Sequence, residues 1–180
     1  MACIARWSLL IAVLTCPAGA RAQAPAPCDA PAYHLLDFWI GDWEVTAGGR
    51  LDGHDRVTRQ LGGCAVHEEW ADADGGHGFS LFYYQPSADR WRQVWVTDHA
   101  NQPGGLKEKE LVLRLDDGGV RFQGTIVLPE GGTVLDRTSL TPLPSGDVHQ
   151  VIEISTDQGT TWQVVYDARY RRSVAAGNPG

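Results

Sequence analysis

Sustained helical periodicity is missing from this sequence. The one segment that could turn is "PAYHLLDFWIGDW", where Tyr33, Leu36 and Ile40 line one side of a turn or two before Gly41 ends it. A sheet in this chain therefore has no helices to cover it. Apolar runs of membrane-spanning length are missing too: Leu9–Leu14 (LLIAVL) lies in a weakly apolar stretch too short to cross a bilayer. Positive charge is scarce, with 15 Lys and Arg against 22 acidic residues. That balance argues against nucleic acid or an anionic membrane as a partner. Cysteine is scarce as well, four in all, and two of these fall within the first 22 residues.

Those 22 residues read as a signal peptide. Arg6 supplies a short basic start, the apolar run follows, and Ala20-Arg21-Ala22 offers the small-x-small pattern of a cleavage site near Ala22. The flanks of Cys16, with Val13-Leu14-Thr15 before it and Pro17 after it, fit a lipidation site poorly. The expected product is periplasmic or secreted, starts at Gln23 and has no integral membrane segment. Its organisation reads as a Pro-rich leader (23–32), one β-domain (33–172) and a flexible tail (173–180). Processing removes two arginines and no acids, so Lys and Arg fall from 15 to 13 and the net charge becomes about −9. Cys28 and Cys64 remain. In an oxidising compartment they are expected to form a disulfide; two buried thiols or a metal pair are the alternatives.

From residue 42 the chain alternates. Segments 42–47, 54–61, 64–71, 78–85, 90–98, 106–115, 120–128, 133–143, 147–156 and 161–172 read as strands, separated by turns rich in Gly, Asp and Pro. Connections this short join antiparallel neighbours, so about ten strands form a meander. Closing that meander into an up-and-down barrel hides its edges, with a β-sandwich as the competitor. No internal repeat has the period of a propeller blade.

Gly41-Asp42-Trp43, after a short helical turn and opening the first strand, resembles the Gly-x-Trp motif of the calycins, the lipocalins and fatty-acid-binding proteins among them. The resemblance implies that Trp43 packs across the closed end of a barrel. An Arg from the last strand would lie over it, here Arg171 or Arg172 of "ARYRR". The order DFWIGDW, GGC-x-x-x-E-x-W, W-x-Q-x-W-V, S-T-D-x-G-x-T-W and a Y-R-R end is similar to a group of exported bacterial proteins known as a domain of unknown function. It spans roughly residues 28–172. Nitrobindin-like haem barrels are more distant relatives that hold haem by a His on a late strand. "TWQVVYDARY" has no such His, so no cofactor is implied.

"STDQGTTW" (155–162) matches the Asp-box pattern best known from sialidase propellers. A sialidase needs several copies, an arginine cluster and a much longer chain. One copy reads as a hairpin turn in which Asp157 caps backbone N–H groups and Gly159 takes positive φ.

Strand alternation places Glu68 and Trp70 on one face, Gln93 and Trp95 on one face, and Trp162 with Tyr166 on one face of the last strand. Six Trp after residue 22 will not all face water, so these faces read as interior. The predicted wall of Glu68, Trp70, Gln93, Trp95, Trp162 and Tyr166 has the composition of a small-ligand pocket. Glu68 is its sharpest member, because a carboxyl on an apolar face needs a partner or a raised pKa. The six His are scattered without metal-binding spacing, so no metal site is expected. "LKEKEL" (106–111) reads as a solvated charge run on an edge strand. Three functions follow in order: a barrel binding a small, partly apolar molecule; an isomerase or hydrolase using Glu68 as acid and base; and a filled barrel acting through its surface.

Overall fold

The computed structural model describes residues 28–99, 104–128 and 131–173. The expected signal peptide with Cys16 and Ala22, the first half of the leader, and the tail beyond Ser173 lie outside the described residues. Ten strands form one closed antiparallel barrel: β1 (Gly41–Ala47), β2 (Arg50–Gln60), β3 (Ala65–Asp72), β4 (His77–Gln85), β5 (Arg90–Thr97), β6 (Leu106–Arg114), β7 (Val120–Val127), β8 (Thr133–Pro142), β9 (Val148–Ser155) and β10 (Gln163–Arg172). Each strand pairs with its sequence neighbours. β10 returns to β1 in the register Trp43↔Arg172 and Val45↔Tyr170. Closure gives every strand two partners, so the barrel has no exposed edge. No helix among the described residues is long and apolar enough to cross a membrane.

Up-and-down connectivity divides the barrel into two ends. The closed end is plugged by two 3-10 turns, Pro31–His34 and Asp37–Trp39. Leu36, Trp39, Trp43, Phe82, Trp91 and Phe122 fill it and are almost completely buried. Trp39 stands edge-on to Phe82 at 5.4 Å, and Phe82 edge-on to Phe122 at 5.3 Å, the geometry aromatic quadrupoles favour. The polar edges of two indoles are satisfied by the plug: Trp43 Nε1 donates to the Trp39 carbonyl at 3.0 Å and Trp91 Nε1 to that of Ala32 at 2.8 Å. A Cys28–Cys64 disulfide fastens the start of the plug to the β2–β3 connection.

The last strand supplies a second fastening. The Arg172 guanidinium lies 4.5 Å over the Trp43 ring, and its Nη1 donates to the Ile40 carbonyl at 3.1 Å. Gly41 makes room for it, since a Cβ there would collide with Arg172 Nη1. Of the two arginines considered, Arg172 takes this role. Arg171 points outward, opposite Glu44.

Two sequence expectations are corrected. First, Trp162 does not share the inner face with Tyr166. The β9–β10 register runs Val164↔Glu153 and then Tyr166↔Ile152, so Val165 is an extra residue that breaks the alternation. Trp162 precedes β10 and lies on the outside, 3.9 Å from the Arg137 guanidinium, which also grips Glu153 through both carboxylate oxygens. Second, "LKEKEL" is not an edge. β6 is paired on both sides, with β5 and β7, and Lys107 and Lys109 face inward.

The Asp-box forms the β9–β10 hairpin turn. Thr161 donates to Asp157 through both its backbone N–H (2.9 Å) and its hydroxyl (2.6 Å), and Ser155 Oγ donates to it at 2.8 Å. These donors, the Thr161 hydroxyl foremost, bring the Asp157 carboxyl down to about 2. Gly159 sits at φ +89°, and the Trp162 Nε1 closes the turn on the Gly159 carbonyl at 3.1 Å.

Candidate functional site

Above the filled half, the barrel holds a cavity of about 500 Å³ that opens between the β1–β2, β3–β4, β5–β6 and β9–β10 ends. The structure brings Glu68, Trp70, Gln93, Trp95 and Tyr166 together on its wall and leaves Trp162 out. The predicted alternation thus holds on β3 and β5, where no bulge intervenes.

Both cavity indoles are seated on glycines of the adjacent strand. Trp70 lies over Gly53 of β2, and Trp95 over Gly78 of β4, where a Cβ would meet ring atoms at 2.7 and 2.6 Å. Glycine at these two positions lets the rings lie back against the wall, and the space they vacate is the cavity. Each ring remains half-exposed to it.

Glu68 sits at the base of the cavity on β3, directly across from Ser80 of β4. Gln93 Nε2 donates to Ser80 Oγ at 3.1 Å, which directs the Ser80 proton toward Glu68. Burial pushes the Glu68 carboxyl up to about 7, against the pull of Ser80 and of the Lys109 and Lys107 charges. Asp55 lies behind it on β2 and its oxygens meet no side-chain donor. Burial, with Glu68 nearby, raises Asp55 well above the usual carboxyl range. The Oε1 of Gln93 is buried and has no partner, so an acceptor stands ready at the cavity wall.

The opposite side carries residues that sequence reasoning passed over. Lys109 reaches across Gly124 of β7 to Asp136 and Thr138 of β8; it contacts the Asp136 carboxylate and donates to Thr138 Oγ1 at 2.6 Å. Lys107 pairs with the other oxygen of the same carboxylate at 2.9 Å. Burial brings the Lys109 ammonium down to about 8 despite Asp136. A signal for this pair was present in the composition: Lys107 and Lys109 are the only lysines in the chain, all 13 other cations being arginine. No arginine among the described residues lines the cavity.

Two tyrosines complete the wall. Tyr166 donates to Asp52 Oδ2 at 2.6 Å, and Tyr170 to Gln150 Oε1 at 2.8 Å. Burial is the main reason both phenols are raised above their ordinary range, so both act as donors at neutral pH. The site therefore combines two flat apolar faces, a protonatable carboxyl, an unpaired amide acceptor and two ammonium groups. Glu153, by contrast, points outward to Arg137. A scan against protein-family models finds no match to the chain, and a search of the curated proteins finds none either.

Proposed function

We propose that this chain is an exported, calycin-type barrel that binds a small molecule in its open half. One observation carries the reading: the same barrel is packed solid with aromatic side chains at one end and leaves about 500 Å³ unfilled at the other. A barrel this narrow can fill itself with side chains, and the lower half does so. The cavity is walled by rings set back onto glycines and by an unpaired buried acceptor, which is how a ligand pocket differs from a core. The Cys28–Cys64 disulfide supports an oxidising destination. The ligand expected from the wall is more polar than the residues Trp70 and Trp95 alone suggest.

Native mass spectrometry of the protein purified from its own host, with a denatured control, tests this. A reproducible extra mass that leaves on unfolding supports the reading. A clean apo mass, together with no binding of any small-molecule probe, sinks it.

A second reading is favoured by Glu68 in particular. A carboxyl that titrates near neutrality inside a cavity can both give and take a proton, as an isomerase or hydrolase requires. Glu68→Gln tests it: an enzyme keeps binding its substrate and loses turnover, whereas a binding barrel has no turnover to lose.

A further inference from the structure

Two lysines and one aspartate do not balance. Lys107 and Lys109 both converge on Asp136, one on each oxygen, inside a barrel where an uncompensated charge is costly. The nearest group able to supply the second negative charge is Glu68, whose carboxyl feels both lysines. The other acidic groups around the cavity have partners of their own or lie at its rim. Asp52 takes the Tyr166 hydroxyl, and Asp72 takes the backbone N–H groups of Asp74 and Gly76. His99 stands at the rim against Asp98, and Asp74 is exposed there. Tyr170 is held by Gln150. Asp55, on the neighbouring strand, has its carboxyl raised well above the usual range, first by burial and then by Glu68.

Resting on the binding reading above, we propose that the cavity takes a flat monocarboxylic acid, its carboxylate on Lys107 and Lys109 and its ring between Trp70 and Trp95. The charge count selects the class. One negative charge completes the Lys107–Lys109–Asp136 group when Glu68 is neutral, whereas a di- or polyanion would leave an excess and must pass the acidic rim of Asp72 and Asp74. The flat faces of Trp70 and Trp95 suit an aromatic or conjugated ring. The unpaired Gln93 Oε1 calls for a donor on the ligand, such as a ring hydroxyl. Binding of the anion and ionisation of Glu68 then compete for the same positive charge. The ligand binds with uptake of a proton, entering in effect as the whole acid.

The test uses 4-hydroxybenzoate, its neutral amide 4-hydroxybenzamide and the cationic 4-hydroxybenzylamine, titrated calorimetrically into the mature protein beside the native mass measurement. The acid should bind at least tenfold more tightly than the amide, and the amine not at all. Above about pH 7 its affinity should fall by up to tenfold per pH unit, as Glu68 ionises. Lys107→Met should lose the preference for the acid while retaining the amide. Glu68→Gln should keep the acid and remove the part of the pH dependence near 7. Equal or stronger binding of the amide or the amine, or a native cargo that carries no acid group, overturns the anion inference and leaves the binding reading standing. No binding of any of the three with a clean apo mass overturns both.

Discussion

The indole of Trp95 lies on Gly78 of the neighbouring strand so closely that a Cβ would meet its Cη2 at 2.6 Å and its Cζ2 at 2.8 Å. Gly78 is a strand residue at negative φ, so an alanine there strains no backbone angle. Most of the cost falls on the ring, with the Val96 carbonyl oxygen, 3.1 Å from such a Cβ, taking the rest. Gly78→Ala should push the indole into the cavity, shrink it, and cost about 1–3 kcal/mol of stability as overpacking does. Chemical denaturation followed by tryptophan fluorescence gives the stability change. Binding of 4-hydroxybenzoate, compared with the parent protein, gives the effect on the pocket. A variant that keeps both stability and binding would show that Trp95 does not define the cavity wall.

The ionisable groups of the cavity make stability depend on pH in a specific shape. Glu68 is raised from its ordinary 4.5 to about 7, so between these values the folded state holds a proton that the unfolded state has lost. Stability therefore falls as pH rises through that window, by about 3 kcal/mol at most. Lys109 is lowered from 10.5 to about 8, so above pH 8 the unfolded state holds the extra proton. Stability then rises again, until the tyrosines of the unfolded chain begin to ionise near pH 10 while the raised Tyr166 and Tyr170 keep their protons in the folded state. The expected profile has its minimum between pH 7 and 8. Urea midpoints measured from pH 5 to 9.5 check it. Glu68→Gln should reduce the acidic limb to the part that the raised Asp55 carboxyl contributes, and Lys109→Met should flatten the alkaline one.

These same residues show what was legible in the sequence. Strand positions were, because Gly-, Asp- and Pro-rich turns punctuate segments that alternate cleanly, and a closed barrel hides the edges of a ten-strand meander better than the competing sandwich. On β3 and β5 the alternation placed Glu68, Trp70, Gln93 and Trp95 correctly. On the last strand it failed at Trp162, since the one-residue bulge at Val165 has no composition signal. The lysines were missed for a different reason. In "LKEKEL" a strand alternates Lys and Glu, and nothing local says which set faces inward. Gly124 opens the way for Lys109 to Asp136, two strands on, and that partnership exists only in three dimensions.

Arg172 ties three separate segments together: the ring of Trp43 on β1, the carbonyl of Ile40 at the end of the plug, and its own strand at the barrel seam. Arg172→Ala removes a stacking and a hydrogen-bonding contact at once. Arg172→Lys keeps the charge but has neither the flat guanidinium nor the reach to both partners. Both variants should lower the melting temperature, with Lys recovering less than half of the loss. Arg171→Ala, on the outward face, should lower it much less. Equal effects of the two alanine variants would mean that the stack on Trp43 adds nothing beyond surface charge.

The disulfide should matter more for stability than for the cavity. Cys28 and Cys64 are 36 residues apart, and their bond joins the start of the plug to the β2–β3 connection at the closed end. Cutting it frees a loop in the unfolded chain, which costs about 3–4 kcal/mol on the loop-entropy account. Neither cysteine lines the cavity that holds Glu68 and Lys109. Reduction, or the Cys28→Ser and Cys64→Ser double variant, should therefore shift the denaturation midpoint substantially while the folded protein keeps its pH profile and whatever binding the parent protein shows. If the reduced protein instead loses that binding under conditions where circular dichroism shows it still folded, the plug and the cavity are coupled through Trp39, Phe82 and Phe122. The two halves of the barrel would then have to be treated as one cooperative unit.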